Sequence, residues 1–202
     1  MYITNAPFFL RWYYPEVVFN RPRGERKVHL TFDDGPVPEA TPFVLDTLAR
    51  YGIKATFFCV GENIRRHPDI FERLKTDGHR IGNHTFSHLN GWKTSDAEYL
   101  ENVARCQELT GSTLFRPPHG RAKKTQIKAL RKTHEIVFWD VLSGDFDTRI
   151  STEKCCQNVA KHAKNGSIIV FHDSVKAFPR LAQALPRSIE HLLEKGYGFG
   201  TL

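Results

Sequence analysis

No stretch of this chain approaches the run of about 18 apolar residues that a membrane-spanning helix requires, so no transmembrane segment is expected. Cysteine is scarce: Cys59, Cys106, Cys155 and Cys156 are all there are. Cys59 lies in an apolar run and Cys155 and Cys156 are adjacent, a spacing that fits neither a disulfide framework nor a cysteine-rich zinc knuckle. Buried, reduced thiols in a cytosolic compartment are the simplest expectation. A phosphate-cradling G-x-G-x-x-G is missing, because the turn after the first strand pattern reads Asp33-Asp34-Gly35-Pro36. H-E-x-x-H is missing too, since Thr85 stands where the glutamate would be, which argues against a metalloprotease. The N-terminus has no basic stretch ahead of its apolar residues, and Pro7 and Arg11 interrupt them. It is therefore not read as a signal peptide, and a cytoplasmic location is expected. Its aromatics (Phe8, Phe9, Trp12, Tyr13 and Tyr14) suggest that segment 1–26 packs on the domain, with membrane-surface contact as a second reading.

What is present is ordinary globular composition. The chain has 202 residues, 40% hydrophobic and 25% charged, enough for one domain with a sizeable core and too few for two. The formal net charge of +7 would attract anionic polymers, anionic lipid surfaces or nucleic acid. A nucleic-acid-binding protein should also carry a recognisable binding motif, and none is found, so nucleic acid is not expected as a partner.

Short apolar runs alternate with amphipathic stretches. Strands are expected at Val28–Phe32, Ala55–Val60, Arg80–Asn83, Thr113–Arg116, Ile136–Asp140, Ser167–Phe171 and Tyr197–Leu202. Helices are expected at Pro38–Arg50, Glu62–Thr76, Ser95–Thr110, Lys123–Thr133, Ser151–Lys164 and Ala177–Lys195. Gly52, Gly78, Gly111, Gly166 and Gly196 follow these helical patterns, where a left-handed terminator is wanted. Ser95 and Glu98 have capping-box spacing, whereas Ser151 precedes Lys154 and keeps only half of that device. Pro186 should kink or split the last helix. Seven strands alternating with helices imply an α/β fold with a mostly parallel sheet, either open and doubly wound or closed into a barrel.

In such folds function collects at the C-terminal ends of the strands. Five of the seven expected strands end in ionisable groups: Asp33-Asp34; His84 with His88; Arg116 ahead of Pro117-Pro118-His119-Gly120; Asp140 with Asp145; and His172-Asp173. One carboxylate of the Asp33-Asp34 pair can bind a cation while its neighbour takes a proton; alone, the pair also reads as a solvated acidic turn. His84 and His88 have H-x-x-x-H spacing, which on a helical turn puts both imidazoles on one face. Two histidines and one carboxylate make three protein ligands, leaving room for water and substrate. Zinc suits such nitrogen and oxygen donors, as do cobalt, nickel, manganese and iron. Arg116 suits either a bidentate grip on a carboxylate or a structural salt bridge. His172 suits a general acid kept protonated by Asp145, or a core histidine bonded to backbone. The run Lys123, Lys124, Lys128, Arg131 and Lys132 reads as a solvated helix face or as an attractor for an anionic glycan.

Taken together the segments resemble the NodB-homology polysaccharide deacetylases, carbohydrate esterase family four. The first family motif appears as Thr31-Phe32-Asp33-Asp34-Gly35, and the second, H-[ST]-x-x-H, as His84-Thr85-Phe86-Ser87-His88. The third, R-P-P-Y-G, appears as Arg116-Pro117-Pro118-His119-Gly120. The fourth usually ends in Asp-Trp and here ends in Asp145-Phe146; the fifth, L-x-H, appears as Val170-Phe171-His172. The match runs from about Lys27 to the C-terminus, implying a catalytic domain over residues 27–202 and a distorted (β/α) barrel, often counted with seven strands.

The resemblance implies a metal-dependent hydrolase that removes N-acetyl or O-acetyl groups from a carbohydrate such as an N-acetylglucosamine-containing polysaccharide. It implies one divalent ion, zinc first, on Asp34, His84 and His88. Asp33 resembles the catalytic base and Arg116 the residue orienting it; His172 resembles the acid, supported by Asp145. His119 stands where the family has Tyr, whose backbone N–H serves the oxyanion, and Phe146 stands where it has Trp. Both departures bear on substrate fit. A deacetylase or deformylase of a lipid-linked or small acetylated sugar is the near alternative, and a non-catalytic glycan-binding relative the distant one.

Overall fold

The computed structural model describes residue 12 and residues 14–202. Most of the N-terminal aromatic cluster, and so much of the expected packing of segment 1–26, falls on residues 1–11 and 13, outside the described residues.

The chain runs β1 (Val17–Val18), β2 (Lys27–Asp33), α1 (Thr41–Arg50), β3 (Thr56–Cys59), α2 (Gly61–Arg66), α3 (Pro68–Thr76), β4 (Arg80–Asn83), α4 (Asp96–Thr110), β5 (Leu114–Phe115), α5 (Lys124–Leu130), β6 (Glu135–Val137), β7 (Val141–Leu142), α6 (Thr152–His162), β8 (Ile168–His172), α7 (Phe178–Glu194) and β9 (Gly198–Phe199). The sheet order is β1-β6-β5-β4-β3-β2-β8-β7, with β9 added beside β2. Every strand pair is parallel.

The order itself shows that the sheet curls. β6 sits next to one edge and β7 is the other edge, yet only residues 138–140 separate them in sequence. So short a link reaches about 13 Å when extended, so the two edges must come together. The seam stays loose: across it Asn20, two residues beyond β1, makes an isolated antiparallel bridge to Ser167. The result is the distorted barrel expected.

β2 shows how sequence sets the two sides of this barrel. Side chains alternate along a strand. Val28, Leu30 and Phe32 face outward into an apolar layer with α1 (Val44, Leu45, Leu48), α3 (Phe71, Leu74) and α7 (Leu181, Leu185, Ile189). His29, Thr31 and Asp33 take the other face, also buried. On β8, Ile169 and Phe171 join the outer layer while Ile168 does not. β2 and β8 register with Asp33 opposite His172. The alternation thus delivers both residues to the same end and the same interior face.

Several expectations change in detail. All seven expected strands exist, and β1 and β7 are additions: each is two residues long, too short to show alternation. The helix expected over Glu62–Thr76 breaks at His67, whose φ of −132° and ψ of 60° are non-helical. Pro68 causes the break, because its ring crowds the helical conformation of the residue before it. Pro186 does not split the last helix, which runs unbroken from Phe178 to Glu194. Interior proline costs about 3 kcal/mol, but Leu181, Leu185, Ile189 and Leu192 bury one continuous stripe across it, each worth about 1.5–3 kcal/mol. The five terminating glycines do adopt positive φ, and Ser95 and Ser151 cap their helices through Glu98 N–H and Lys154 N–H. The four thiols are free; Cys156 is only half-buried. Among the described residues no helix is long and apolar enough to cross a membrane.

Candidate active site

A cavity of about 470 Å³ opens at the C-terminal ends of the strands. Asp33, Asp34, His84, His88, His119, Phe146 and His172 all line it. Arg116 and Asp145 lie immediately behind, both fully buried. The structure therefore brings every expected site residue to one place. Asp140 is the exception among the strand-end acids: it accepts hydrogen bonds from Ser167 Oγ (3.0 Å) and Ile168 N–H (2.8 Å), at the start of β8, and pairs with Arg23. It belongs to the opposite rim, because β7 begins only after it and carries the chain back along β8.

Asp33 ends β2 and Asp34 follows with φ of +85°, a left-handed conformation uncommon outside glycine. That turn is what lets two adjacent carboxylates share one cavity. Asn63 Nδ2 donates to the Asp34 carbonyl at 2.7 Å, and the Asp173 carboxylate accepts from Gly35 N–H at 3.2 Å and from the Thr41 hydroxyl at 2.7 Å. A Cβ on Gly35 would lie 2.0 Å from Asp173 Oδ2, so glycine is required there by close approach. Asp173 was visible in the sequence only as the neighbour of His172. Its task depends on a contact 138 residues away, which no local pattern announces. Burial pushes its carboxyl up to about 8, with Asp34 pushing the same way against the Thr41 hydrogen bond.

His84 and His88 do not sit on a helical turn. The segment is a loop in which Thr85 and His88 both have positive φ, +63° and +54°. Asn83 Oδ1 and Asn102 Oδ1 hold it by accepting from the N–H groups of Thr85 and Phe86. The two imidazole centroids lie 5.2 Å apart. His84 Nδ1 donates to the Arg116 carbonyl at 2.8 Å, which fixes the tautomer and leaves Nε2 as the lone-pair nitrogen. Burial draws the His84 pKa down to about 4, so this imidazole is neutral at pH 7. His88 Nε2 is buried, lies 3.1 Å from Asp34 Oδ1, and makes no hydrogen bond of acceptable geometry. Burial opposes ionisation of Asp34, but His88, His172 and His84 outweigh it and hold the carboxyl well below the usual range.

One donor atom each from Asp34, His84 and His88 lies within 4.8 Å of the other two, the one such group among the described residues. The donor set fits a divalent cation: an ionised carboxylate, a neutral imidazole with its second nitrogen tied to backbone, and an orphaned buried nitrogen.

Arg116 crosses the barrel interior with no exposed surface. Its Nη1 donates to Asp33 Oδ1 (2.7 Å) and Thr31 Oγ1 (2.8 Å), and its Nε and Nη2 donate to the carbonyls of Val137 and Phe138. The grip on Asp33 is a single hydrogen bond, not the bidentate pair expected, because the remaining donors face backbone carbonyls. The guanidinium also lies 4.1 Å from the Phe58 ring centroid.

His172 stands across the cavity. Asp145 accepts from its Nδ1 (2.8 Å) and from its backbone N–H (2.7 Å). Burial disfavours the imidazolium, yet Asp145, helped by Asp34 and Asp33, prevails and raises the pKa to about 9. Phe146 meets the imidazole edge-to-face at 5.0 Å. His119, with φ of +59°, puts its ring 4.7 Å from that of His88, and its backbone N–H is engaged by no hydrogen bond among the described residues.

Comparison with known proteins agrees with this geometry. The polysaccharide deacetylase family model matches residues 20–135. A peptidoglycan-N-acetylglucosamine deacetylase of Bacillus cereus is 36% identical over 192 residues, covering 91% of this chain and 70% of that protein. A chitooligosaccharide deacetylase of Azorhizobium caulinodans is 36% identical over 163 residues, 75% of each chain. A crystal structure of a peptidoglycan N-acetylglucosamine deacetylase in complex with an N-hydroxybenzamide superposes with a TM-score of 0.90 at 34% identity, covering 98% of this chain and 95% of that one. With a matching family model over more than half its length and relatives this similar, the chain belongs to the polysaccharide deacetylase family, hydrolases acting on acetylated carbohydrate.

Proposed function

We propose that the chain hydrolyses the N-acetyl amide of an N-acetylglucosamine-containing glycan, with Asp33 as base and His172 as acid. The observation that carries this is the pairing across one cavity: a carboxylate backed by Arg116 faces an imidazole backed by Asp145. Asp34, His84 and His88 hold one divalent ion, zinc before cobalt, nickel, manganese or iron. When bound, that ion supplies Lewis acidity for the acetyl carbonyl and the attacking water.

The protein's own groups do the rest. Asp33 accepts the proton of the attacking water as its oxygen bonds to the carbonyl carbon. Arg116 holds Asp33 in place through the hydrogen bond from Nη1. The free N–H of His119 donates to the oxyanion that forms. His172 delivers a proton to the amine nitrogen as the carbon–nitrogen bond breaks. Asp145 keeps that imidazole charged and fixes its orientation, leaving Nε2 for the substrate. Acetate and a free amino sugar result. Phe146 supplies an apolar wall without the indole N–H of the usual tryptophan.

Peptidoglycan is the first substrate class, on the relatives' activity and the high similarity to one of them. A lipid-linked or small acetylated sugar, or an O-acetyl ester, is the second. Location separates them: cell-wall glycan lies outside the cytoplasm, whereas a lipid-linked or small acetylated sugar can lie within it. The relative crystallised with an N-hydroxybenzamide adds support for a metal, since the hydroxamate group chelates divalent cations.

Acetate release from a panel of these substrates, with metal content measured in parallel, tests the reading. Asp33→Asn should keep stoichiometric metal and lose turnover, whereas His84→Ala should lose both. Wild-type turnover by Asp33→Asn would sink the base assignment, and full metal in His84→Ala would sink the ligand set.

A further inference from the structure

We propose that the cavity selects an acetylated sugar bearing a negative charge near the scissile amide, a carboxylate or a phosphate, and that Arg121 and Lys176 recognise that charge. This rests on the deacetylase reading above and narrows its substrate class. The cavity's carboxylates, Asp33 and Asp34, lie on its floor, where Arg116 and the two histidines face them. The rim has the opposite sign. Arg121 and Lys176 both line it and both are exposed. Among the described residues neither forms an ion pair, and no acidic side chain lines the rim. They arrive from different loops, after β5 and after β8, with β4, β3 and β2 between those strands in the sheet. A group held over the metal ligands therefore meets a cation from each side.

Arg121 is also pre-oriented. Its guanidinium carbon lies 5.1 Å from the ring centroid of Trp92. Trp92 is 56% exposed, unusual for so large an apolar side chain, yet it is held in place. Its indole N–H donates to the Ala122 carbonyl at 3.2 Å and its backbone N–H to Asn90 Oδ1 at 3.1 Å. A guanidinium stacked on a fixed ring keeps its in-plane N–H fork free for a planar anion and loses less entropy on binding. Beside it, the exposed indole offers a flat apolar face for the next sugar ring. The lysine-rich helix α5 does not do this work: none of its residues lines the cavity, and Lys123, just ahead of it, has its Nζ already bonded to the Thr94 carbonyl at 2.7 Å. A lone exposed cation contributes little in water; two converging on one ligand that excludes water from the rim contribute more, because a hydrogen bond between charged groups strengthens as water is removed.

The test compares three acetylated probes: a neutral N-acetylglucosamine oligomer, an oligomer carrying N-acetylmuramic acid, and an N-acetylglucosamine phosphate. Wild type should favour at least one anionic probe over the neutral one by about tenfold in kcat/KM, through KM. That preference should weaken as salt is raised. Arg121→Gln with Lys176→Gln should bring the ratio close to one, the loss falling mainly on the anionic probe. Which anionic probe is favoured identifies carboxylate or phosphate as the source. Equal kcat/KM for neutral and anionic probes in wild type, or a preference that survives the double substitution, overturns the proposal. If no probe releases acetate, the hydrolase reading fails by itself. Titration of tryptophan fluorescence then decides recognition: tighter binding of an anionic probe that the double variant abolishes upholds it, and equal binding of all probes refutes it.

Discussion

Two buried ion pairs face each other across the cavity, built in opposite senses. In one, the carboxylate of Asp33 meets the cavity and the cation of Arg116 stands behind it. In the other, the imidazole of His172 meets the cavity and the carboxylate of Asp145 stands behind it. The first arrangement presents a carboxylate that can take a proton, and the second keeps an acid protonated. The same elementary interaction therefore produces two chemical roles, decided by which partner is presented. The two also differ in support: Arg116 has three further hydrogen bonds to fix it, whereas Asp145 is held through its own backbone, with Ser143 Oγ accepting from its N–H and its carbonyl accepting from Arg180 Nε.

Breaking each side in turn should expose that asymmetry. His172→Ala should lower amide hydrolysis by about 10²–10⁴-fold, the usual range for a general acid or base. With an activated aryl acetate ester the loss should shrink sharply, because a phenolate leaves without a proton, while Asp33→Asn should remain as damaging on the ester. Equal losses on both substrates would dissolve the distinction between the two sides. Arg116→Leu should act on folding as well, destabilising by about 3–5 kcal/mol because it leaves Asp33 buried and unpaired. Urea unfolding of the metal-free protein reads this, and a change within error would mean that Asp33 reaches water.

A smaller effect concerns the floor between the pairs. Asp173→Ala should weaken metal binding by about 10–100-fold, as for groups that orient ligands from behind. Asp173→Asn should retain most of the affinity, since the carboxyl at about 8 is largely neutral at pH 7 and the amide oxygen can still accept. Competition against a fluorescent chelator measures both variants, and identical affinities for Ala and Asn would remove Asp173 from the support of Asp34. The gentlest probe is pH. The folded pKa of His172 is raised, so its pairing with Asp145 contributes stability fully below the unfolded value of about 6.5 and loses that contribution as pH rises through about 9. Unfolding of the metal-free protein should follow that window, and Asp145→Asn should abolish it. A resonance of His172 titrating below 6.5 would reverse the sign.

Much of this was legible without coordinates. Strong β2 and β8 patterns, helix-terminating glycines and serine caps report on backbone conformations that depend on near neighbours, and they appear where expected. So do the chemical identities at the strand ends. Apart from the break at His67, which the adjacent Pro68 causes locally, what failed to show was long-range or competitive. Two-residue strands β1 and β7 exist only because partners are waiting for them. Pro186 is tolerated because packing across it outweighs its local cost. Asp140 reads like a site residue and turns to the other rim, while Asp173 reads like a bystander and locks the turn beneath Asp34.

The sequence by itself therefore determined the alternating α/β order, the residue types available for chemistry, and the family whose motifs they form. Only the tertiary structure decided that Arg116 grips Asp33 by a single hydrogen bond, that Asp34 turns left-handed to share a cavity with Asp33, that Arg121 and Lys176 line one rim, and that the sheet closes across a three-residue link. The physical reason is range: propensity and capping act within a few residues, whereas a site is made of side chains whose positions are set by strand register and by burial against distant partners.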